Sequence, residues 1–262
     1  MNEWMDFSMF EDAGDPPEEL WAFRTILMQI DTQLKRFTSA VSLYEHTRKI
    51  NADAHAEVDR HVRELTPTEG GRTPRGRSTL AARKQNLDEL RRLSDDHDWW
   101  PLAAREGALA LWGMREAMGF TKKQLKRAPA LRKAVNEATL NAATEEFDEK
   151  WPDAELFRHA VAHEVEAFAS IARYRAEAVD GPIDASGLMK GEGGQILPGL
   201  SLADRTVYIG KKRRLLSYDL SPDTVTFIRK LRDQFVGAIA EVAKNDTMRE
   251  MERFSREHRQ DQ

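Results

Sequence analysis

The sequence predicts an all-α fold, an antiparallel helical bundle with a long N-terminal helix and a small β-hairpin before the last helix. Three observations predict it. Apolar residues recur three to four positions apart over long stretches, as in Phe23, Ile26, Leu27, Ile30, Leu34 and Phe37, which is the period of a helix with one buried face. Proline stands where such stretches begin, at Pro16-Pro17, Trp99-Trp100-Pro101 and Ser221-Pro222-Asp223. A first-turn proline is tolerated because the N–H it lacks has no intrahelical partner there. Finally, Thr206–Ile209 and Leu215–Tyr218 are short β-prone runs flanking Gly210–Arg214, a pattern that reads as one hairpin.

Taken in order, residues 1–15 carry Glu3, Asp6, Glu11, Asp12 and Asp15 and read as a disordered acidic leader. Residues 16–97 form an N-terminal helical region. Pro16-Pro17 opens its first helix, with Glu18 and Glu19 in the first turn, where negative charge meets the helix dipole favourably. Trp21, Phe23, Ile30, Leu34, Phe37, Val41 and Tyr44 form the apolar face, and a more polar periodic stretch continues to about Leu65. Residues 66–78, with Pro67, Gly70, Gly71, Pro74 and Gly76, are a loop by composition. Helical periodicity resumes over 79–94.

A second helical region spans 98–243. Its first helix holds Gly107 and Gly113. Each costs helix stability, about 1 kcal/mol against alanine, and the expected return is close approach of a neighbouring helix. Gly119 suggests the end of that helix, and Thr121 a cap for the next. Leu131–Lys150 reads as one amphipathic helix through Val135, Leu140 and Phe147, broken by Trp151-Pro152. Asp153 is placed to cap a helix running from 154 to about 179. Residues 181–204 read as a long loop, followed by the hairpin. In the last helix Val225, Ile228, Leu231, Phe235, Ile239 and Val242 share one face. A charged tail occupies 244–262.

Bulk properties remove several classes. Net charge is −4, so nucleic acid would have to be held by local patches. Cysteine is absent, which removes disulfides and thiolate chemistry and fits a cytoplasmic location. The longest apolar stretch, around Ala108–Trp112, is far short of the roughly 20 residues of a spanning helix, so no membrane partner is expected. The acidic N-terminus has the wrong sign for a signal peptide. There is no Gly-rich phosphate loop, dinucleotide fingerprint or serine-nucleophile elbow.

The chemistry-bearing string is Arg158-His159-Ala160-Val161-Ala162-His163. RNA carries its own nucleophile, the 2′-hydroxyl. Cleaving it requires moving protons and stabilising charge on the phosphate. A histidine titrates near neutral pH, and an arginine pairs two phosphate oxygens without losing its charge. Positions five apart lie about 140° apart around a regular helix. Arg158 and His163 therefore converge only through a helix-start geometry or across a dimer. His159 and His163, at i and i+4, share a face.

The motif with its surroundings resembles the HEPN superfamily, whose pattern is an arginine, a polar residue, a few more residues and a histidine. The resemblance extends to Ala103–Ala110 on the preceding helix, the Trp151-Pro152 break and the hairpin followed by a Ser-capped helix, covering roughly 98–243. It implies a HEPN-like antiparallel bundle that forms a homodimer, with the motif helices facing across the interface. It also implies a metal-independent endoribonuclease of toxin–antitoxin or phage-defence type. Arg158 and His163 would be the catalytic pair and His159 their polar companion. RNA would be the substrate, an antitoxin protein a further partner, and no cofactor would be needed. Other members of the superfamily are catalytically silent and only bind or scaffold.

RNA-backbone candidates are Lys122, Lys123, Lys126 and Arg127 in a basic run, and Lys211, Lys212, Arg213 and Arg214 in the hairpin, with Tyr208 and Tyr218 placed to stack bases. The competing reading of both clusters is a solvated helix face and a solvated turn. His159 and His163 with Glu164 or Glu166 have one-ion spacing, but the string is not His-Glu-x-x-His and no third ligand is identifiable. No metal is expected. The alternative to a nuclease is a non-catalytic dimerisation or interaction protein using the long first helix.

Overall fold

The computed structural model describes residues 7–65, 99–162 and 199–240 apart from 212 and 213, together with residues 170 and 172 and four short strands between 179 and 196. The predicted loop at 66–78, the helix at 79–94 and the tail at 244–262 lie outside the described residues.

The organising pair is α2 (Pro17–Leu65), about 73 Å long at 1.5 Å per residue, and α3 (Trp100–Leu125). They run antiparallel. Glu19 meets Gln124 at one end, and Arg36 bonds Glu106 at 2.8 Å further along. On α2 the large apolar residues Leu20, Phe23, Leu27, Ile30, Leu34, Phe37, Val41 and Tyr44 are buried, spaced alternately by three and four, with the small Ala40 buried beside them. On α3, Ala104, Gly107, Leu111, Met114, Met118, Thr121 and Leu125 keep the same alternation and are all buried. This 3.5-residue period is that of two helices wound on one seam. Each large apolar side chain buried there contributes about 1.5–3 kcal/mol.

The small residues on α3 set how closely the seam closes. A Cβ at Gly113 would fall 2.7 Å from the Gln33 side chain, and one at Gly107 would fall 3.0 Å from Leu220 and Tyr218. The close approach of a neighbouring helix expected at both glycines is present at Gly113, whereas at Gly107 the hairpin and the turn after it approach instead. The expected stop at Gly119 is not. The helix runs on to Leu125, and Thr121 is buried within it, its hydroxyl donating to the Ala117 carbonyl at 2.9 Å. Tertiary contact overrides the local signal there.

Trp21 was expected in the apolar face, but it is 70% exposed and Leu20 is buried in its place. The leader also differs from its expected disorder. Residues 8–12 form α1 (Ser8–Asp12), Phe7 and Phe10 are buried, and the Phe7 ring meets Phe23 edge-on at 5.7 Å. Gly14, at φ 95°, makes the reversal into α2. Two phenylalanines on α2 outweigh the solubility of the surrounding acids.

The stretch expected as one helix over 131–150 is two, α4 (Pro129–Ala134) and α5 (Glu137–Lys150), broken at Val135 and Asn136. The Asn136 side chain caps α5 by accepting from the Thr139 N–H at 3.2 Å. Trp151-Pro152 ends α5 as expected, and α6 (Ala154–Ala162) follows. The closing helix, α7 (Pro222–Ala240), begins at the predicted Ser-Pro signal, with Ser221 Oγ accepting from the Thr224 N–H at 3.2 Å. It packs on α5 and α2.

The fold is mostly helical rather than all-α. The hairpin is present as β6 (Thr206–Lys211) and β7 (Arg214–Asp219), and β5 (Gly199–Ala203) adds a third antiparallel strand on the other side of β6. Residues expected as loop also supply β2 (Ile183–Ala185), β3 (Met189–Gly191) and β4 (Gln195–Ile196), while β1 (Val179–Asp180) stands where the helix from 154 was expected to end; β1 pairs with β4 and β2 with β3. The β5–β6 turn is docked on α2. Tyr44 donates to the Asp204 carbonyl, Arg48 pairs with the Asp204 carboxylate at 2.8 Å, and Arg205 pairs with Glu45 at 2.7 Å. Residues from α2 through α7 share one apolar core.

Candidate functional site

α6 buries Ala154, Phe157 and Ala160. Phe157 sets its ring edge-on to Tyr218 at 5.3 Å. That phase turns Arg158 and His159 outward, and both are exposed. The Arg158 guanidinium lies 4.6 Å from the centre of the half-buried Trp112 ring on α3. Stacking of this kind fixes the guanidinium plane while leaving N–H edges for an anion. The acid at the start of the same segment, Asp153, is occupied by Arg214 at 2.6 Å. Among the described residues no carboxylate pairs with Arg158. His163, Glu164 and Glu166 lie outside the described residues, so the hexapeptide is defined here at its arginine end.

The hairpin cluster does not assemble as expected. Lys211 is buried within β6 and Arg214 is committed to Asp153, while Lys212 and Arg213 lie outside the described residues. The two tyrosines belong to the interior. Tyr208 is buried. Tyr218 is buried too, and its hydroxyl donates to the Ala104 carbonyl. Burial pushes the Tyr218 phenol pKa up. Neither ring is presented for base stacking. For Tyr208, alternation gave no sign of this, because β6 is the central strand and is buried on both faces. Tyr218 lies on the edge strand β7, which buries Leu216 and Tyr218 and exposes Ser217 between them.

The basic run at the end of α3 divides. Lys123 sits 5.1 Å from the centre of the Phe120 ring, and Arg127 lies 3.7 Å from Glu19. Lys122 and Lys126 instead line a cleft of about 220 Å³, walled by Arg132 from α4 and by Glu137 and Asn141 from α5, over Leu125 and Leu140. Arg132 donates through Nε and Nη2 to the two oxygens of Glu137. This hydrogen bond, followed by the attraction between the charges, raises the Arg132 pKa. The hydrogen bond likewise lowers that of Glu137.

Glu137 and Asn141 were not singled out by sequence, and Trp112 was not read as a site residue. Trp112 and Glu137 each act through a partner on another helix, and no local spacing signals that. Among the described residues no group of three or more histidine, aspartate or glutamate side chains is placed to hold a metal ion, and no described helix is long and apolar enough to cross a membrane. Comparison of the chain with family models, with curated proteins and with solved structures finds no match.

Proposed function

We propose that this chain is a metal-independent endoribonuclease of HEPN type. In this reading Arg158 binds the scissile phosphate, His163 transfers the protons and His159 assists. His163 takes the proton of the 2′-hydroxyl as the 2′-oxygen bonds to phosphorus. It then gives a proton to the 5′-oxygen as the phosphorus–oxygen bond breaks, leaving a cyclic phosphate and a 5′-hydroxyl. Arg158 stabilises the charge that builds on the non-bridging oxygens. The observation that carries the reading is the exposed Arg158 guanidinium, held over Trp112 without a carboxylate partner among the described residues. An arginine in that state is ready for a phosphate and gives up no ion pair among the described residues to take one.

The test is cleavage of structured and unstructured RNAs in EDTA. Arg158→Ala is expected to slow cleavage by about 10²–10³-fold, the usual effect of losing one such donor, and His163→Ala by at least as much. Arg158→Lys keeps the charge without the fork and is expected to fall between. Equal cleavage by wild type and both alanine variants, or no cleavage by wild type, overturns the reading.

A second reading, a non-catalytic helical dimerisation protein, is favoured by one observation. Trp21 is 70% exposed and Met28 50% exposed, and seven residues apart they lie on one stripe of α2. The occupant of that stripe would be a second copy of the chain. Light scattering after gel filtration is expected to show a dimer for wild type and a monomer for the Trp21→Ala/Met28→Ala variant. An unchanged mass removes the stripe as an interface.

A further inference from the structure

We infer that the cleft between the end of α3, α4 and the start of α5 binds a phosphate monoester. The inference stands apart from the Arg158 reading, because it concerns other residues and requires no cleavage.

Charge is the first argument. Lys122, Lys126 and Arg132 bring three cations to one small cleft, and among the described residues Glu137 is the one carboxylate that lines it, in a chain whose net charge is −4. The excess of two positive charges matches the roughly −1.5 to −2 carried by a phosphate monoester at neutral pH. Lys126, the residue that follows the last turn of α3, lies four positions beyond Lys122, a spacing at which like charges repel. Among the described residues neither has a carboxylate partner to relieve that repulsion. An anion between them would.

Geometry is the second argument. Glu137 holds Arg132 by one edge of its guanidinium, using Nε and Nη2, and so fixes its plane while leaving Nη1 as a donor. Because the same bond lowers the Glu137 pKa, the clamp stays charged across the neutral range. The Asn141 amide adds a neutral donor that can bind an ester oxygen. Leu125 and Leu140, both buried, form an apolar floor beneath the charged groups.

Size is the third argument. At about 220 Å³ the cleft is smaller than the roughly 300–1,000 Å³ of pockets that enclose drug-sized molecules. It takes a phosphate and what is attached next to it, either a small phosphorylated metabolite or the phosphorylated end of an RNA strand.

Calorimetric titration of the full chain at low salt is the test, with adenosine monophosphate, a 5′-phosphorylated oligoribonucleotide and its 5′-hydroxyl counterpart as probes. The phosphorylated probes are expected to bind, and Lys122→Ala and Lys126→Ala are each expected to weaken them at least tenfold with thermal unfolding unchanged. Arg132→Lys, which keeps the charge but loses the clamp to Glu137, is also expected to weaken binding. The Lys49→Ala variant, removing an exposed lysine of α2, controls for diffuse attraction and is expected to change nothing. A phosphorylated oligonucleotide binding well above both the mononucleotide and the hydroxyl form identifies an RNA end as the ligand. Equal binding of the two phosphorylated probes identifies the free phosphate ester. No binding of either, or equal losses from Lys49→Ala and Lys122→Ala, overturns the inference.

Discussion

Tyr218→Ala is expected to destabilise the protein by about 4 kcal/mol, within the 3–5 kcal/mol typical of removing a buried aromatic side chain. Tyr218 comes from β7 but touches three helices. Its ring lies 6.4 Å from Phe37 of α2 and 5.3 Å from Phe157 of α6, and its hydroxyl donates to the Ala104 carbonyl of α3. The space left by truncation would be bounded by Gly107, where an added Cβ would come within 3.0 Å of the present ring. A glycine has no side chain with which to fill the void. The cavity therefore cannot collapse from that side, which keeps the cost above the lower end of the range.

Tyr218→Phe separates the two parts of that effect. It keeps the ring and loses the hydrogen bond, and the expected cost is about 1 kcal/mol. Urea midpoints of the two variants check both values. Equal losses would mean that the hydroxyl, not the ring, holds the hairpin to the bundle. The consequence for the candidate site is direct, because Phe157 precedes Arg158 and its packing against Tyr218 sets the phase of α6. A Tyr218→Ala variant is expected to lose the Arg158–Trp112 stack together with stability, whereas Arg158→Ala loses only the stack.

What was legible in the sequence was whatever is decided within one turn of chain. Pro17, Pro101 and the Ser221-Pro222 pair mark helix starts by their own backbone chemistry, and the α7 face and the β6–β7 hairpin follow from their own periodicity. What was not legible depends on partners. Gly119 and Thr121 look like a helix end, yet Thr121 sits in the seam against α2, and burial there carries the helix through. Leu20 and Trp21 are adjacent and both apolar. Only the alternation of three and four along α2 selects the leucine for the seam. β5 is a strand because β6 offers it a ladder, although its own residues read as loop. The same holds for the sites. Arg158 was identified from its own segment, whereas the Trp112 ring beneath it and the Arg132–Glu137 clamp are contacts between helices.

Asp15→Ala is expected to cost about 3–6 kcal/mol, because hydrogen bonds to a charged group contribute about 1.5–3 kcal/mol each and the two here are lost together. Asp15 is 1% exposed, in a segment whose composition reads as solvated. Its carboxylate accepts from the Ala130 N–H at 2.9 Å and the Leu131 N–H at 2.8 Å, more than a hundred residues away. These are first-turn amides of α4, whose own cap residue, Ala128, offers no side-chain acceptor. Asp15 is thus a cap supplied from another part of the chain, and its charge also suits the positive end of the helix. Asp15→Asn keeps one acceptor oxygen and is expected to recover about half of the loss. Hydrogen exchange provides the discriminating measurement. The Ala130 and Leu131 amides are expected to exchange faster in Asp15→Ala by a larger factor than amides in the middle of α3. A uniform increase would show that Asp15 acts on the whole core and not on α4. Because α4 carries Arg132 into the basic cleft, local loosening is also expected to weaken adenosine monophosphate binding without altering any residue that lines the cleft.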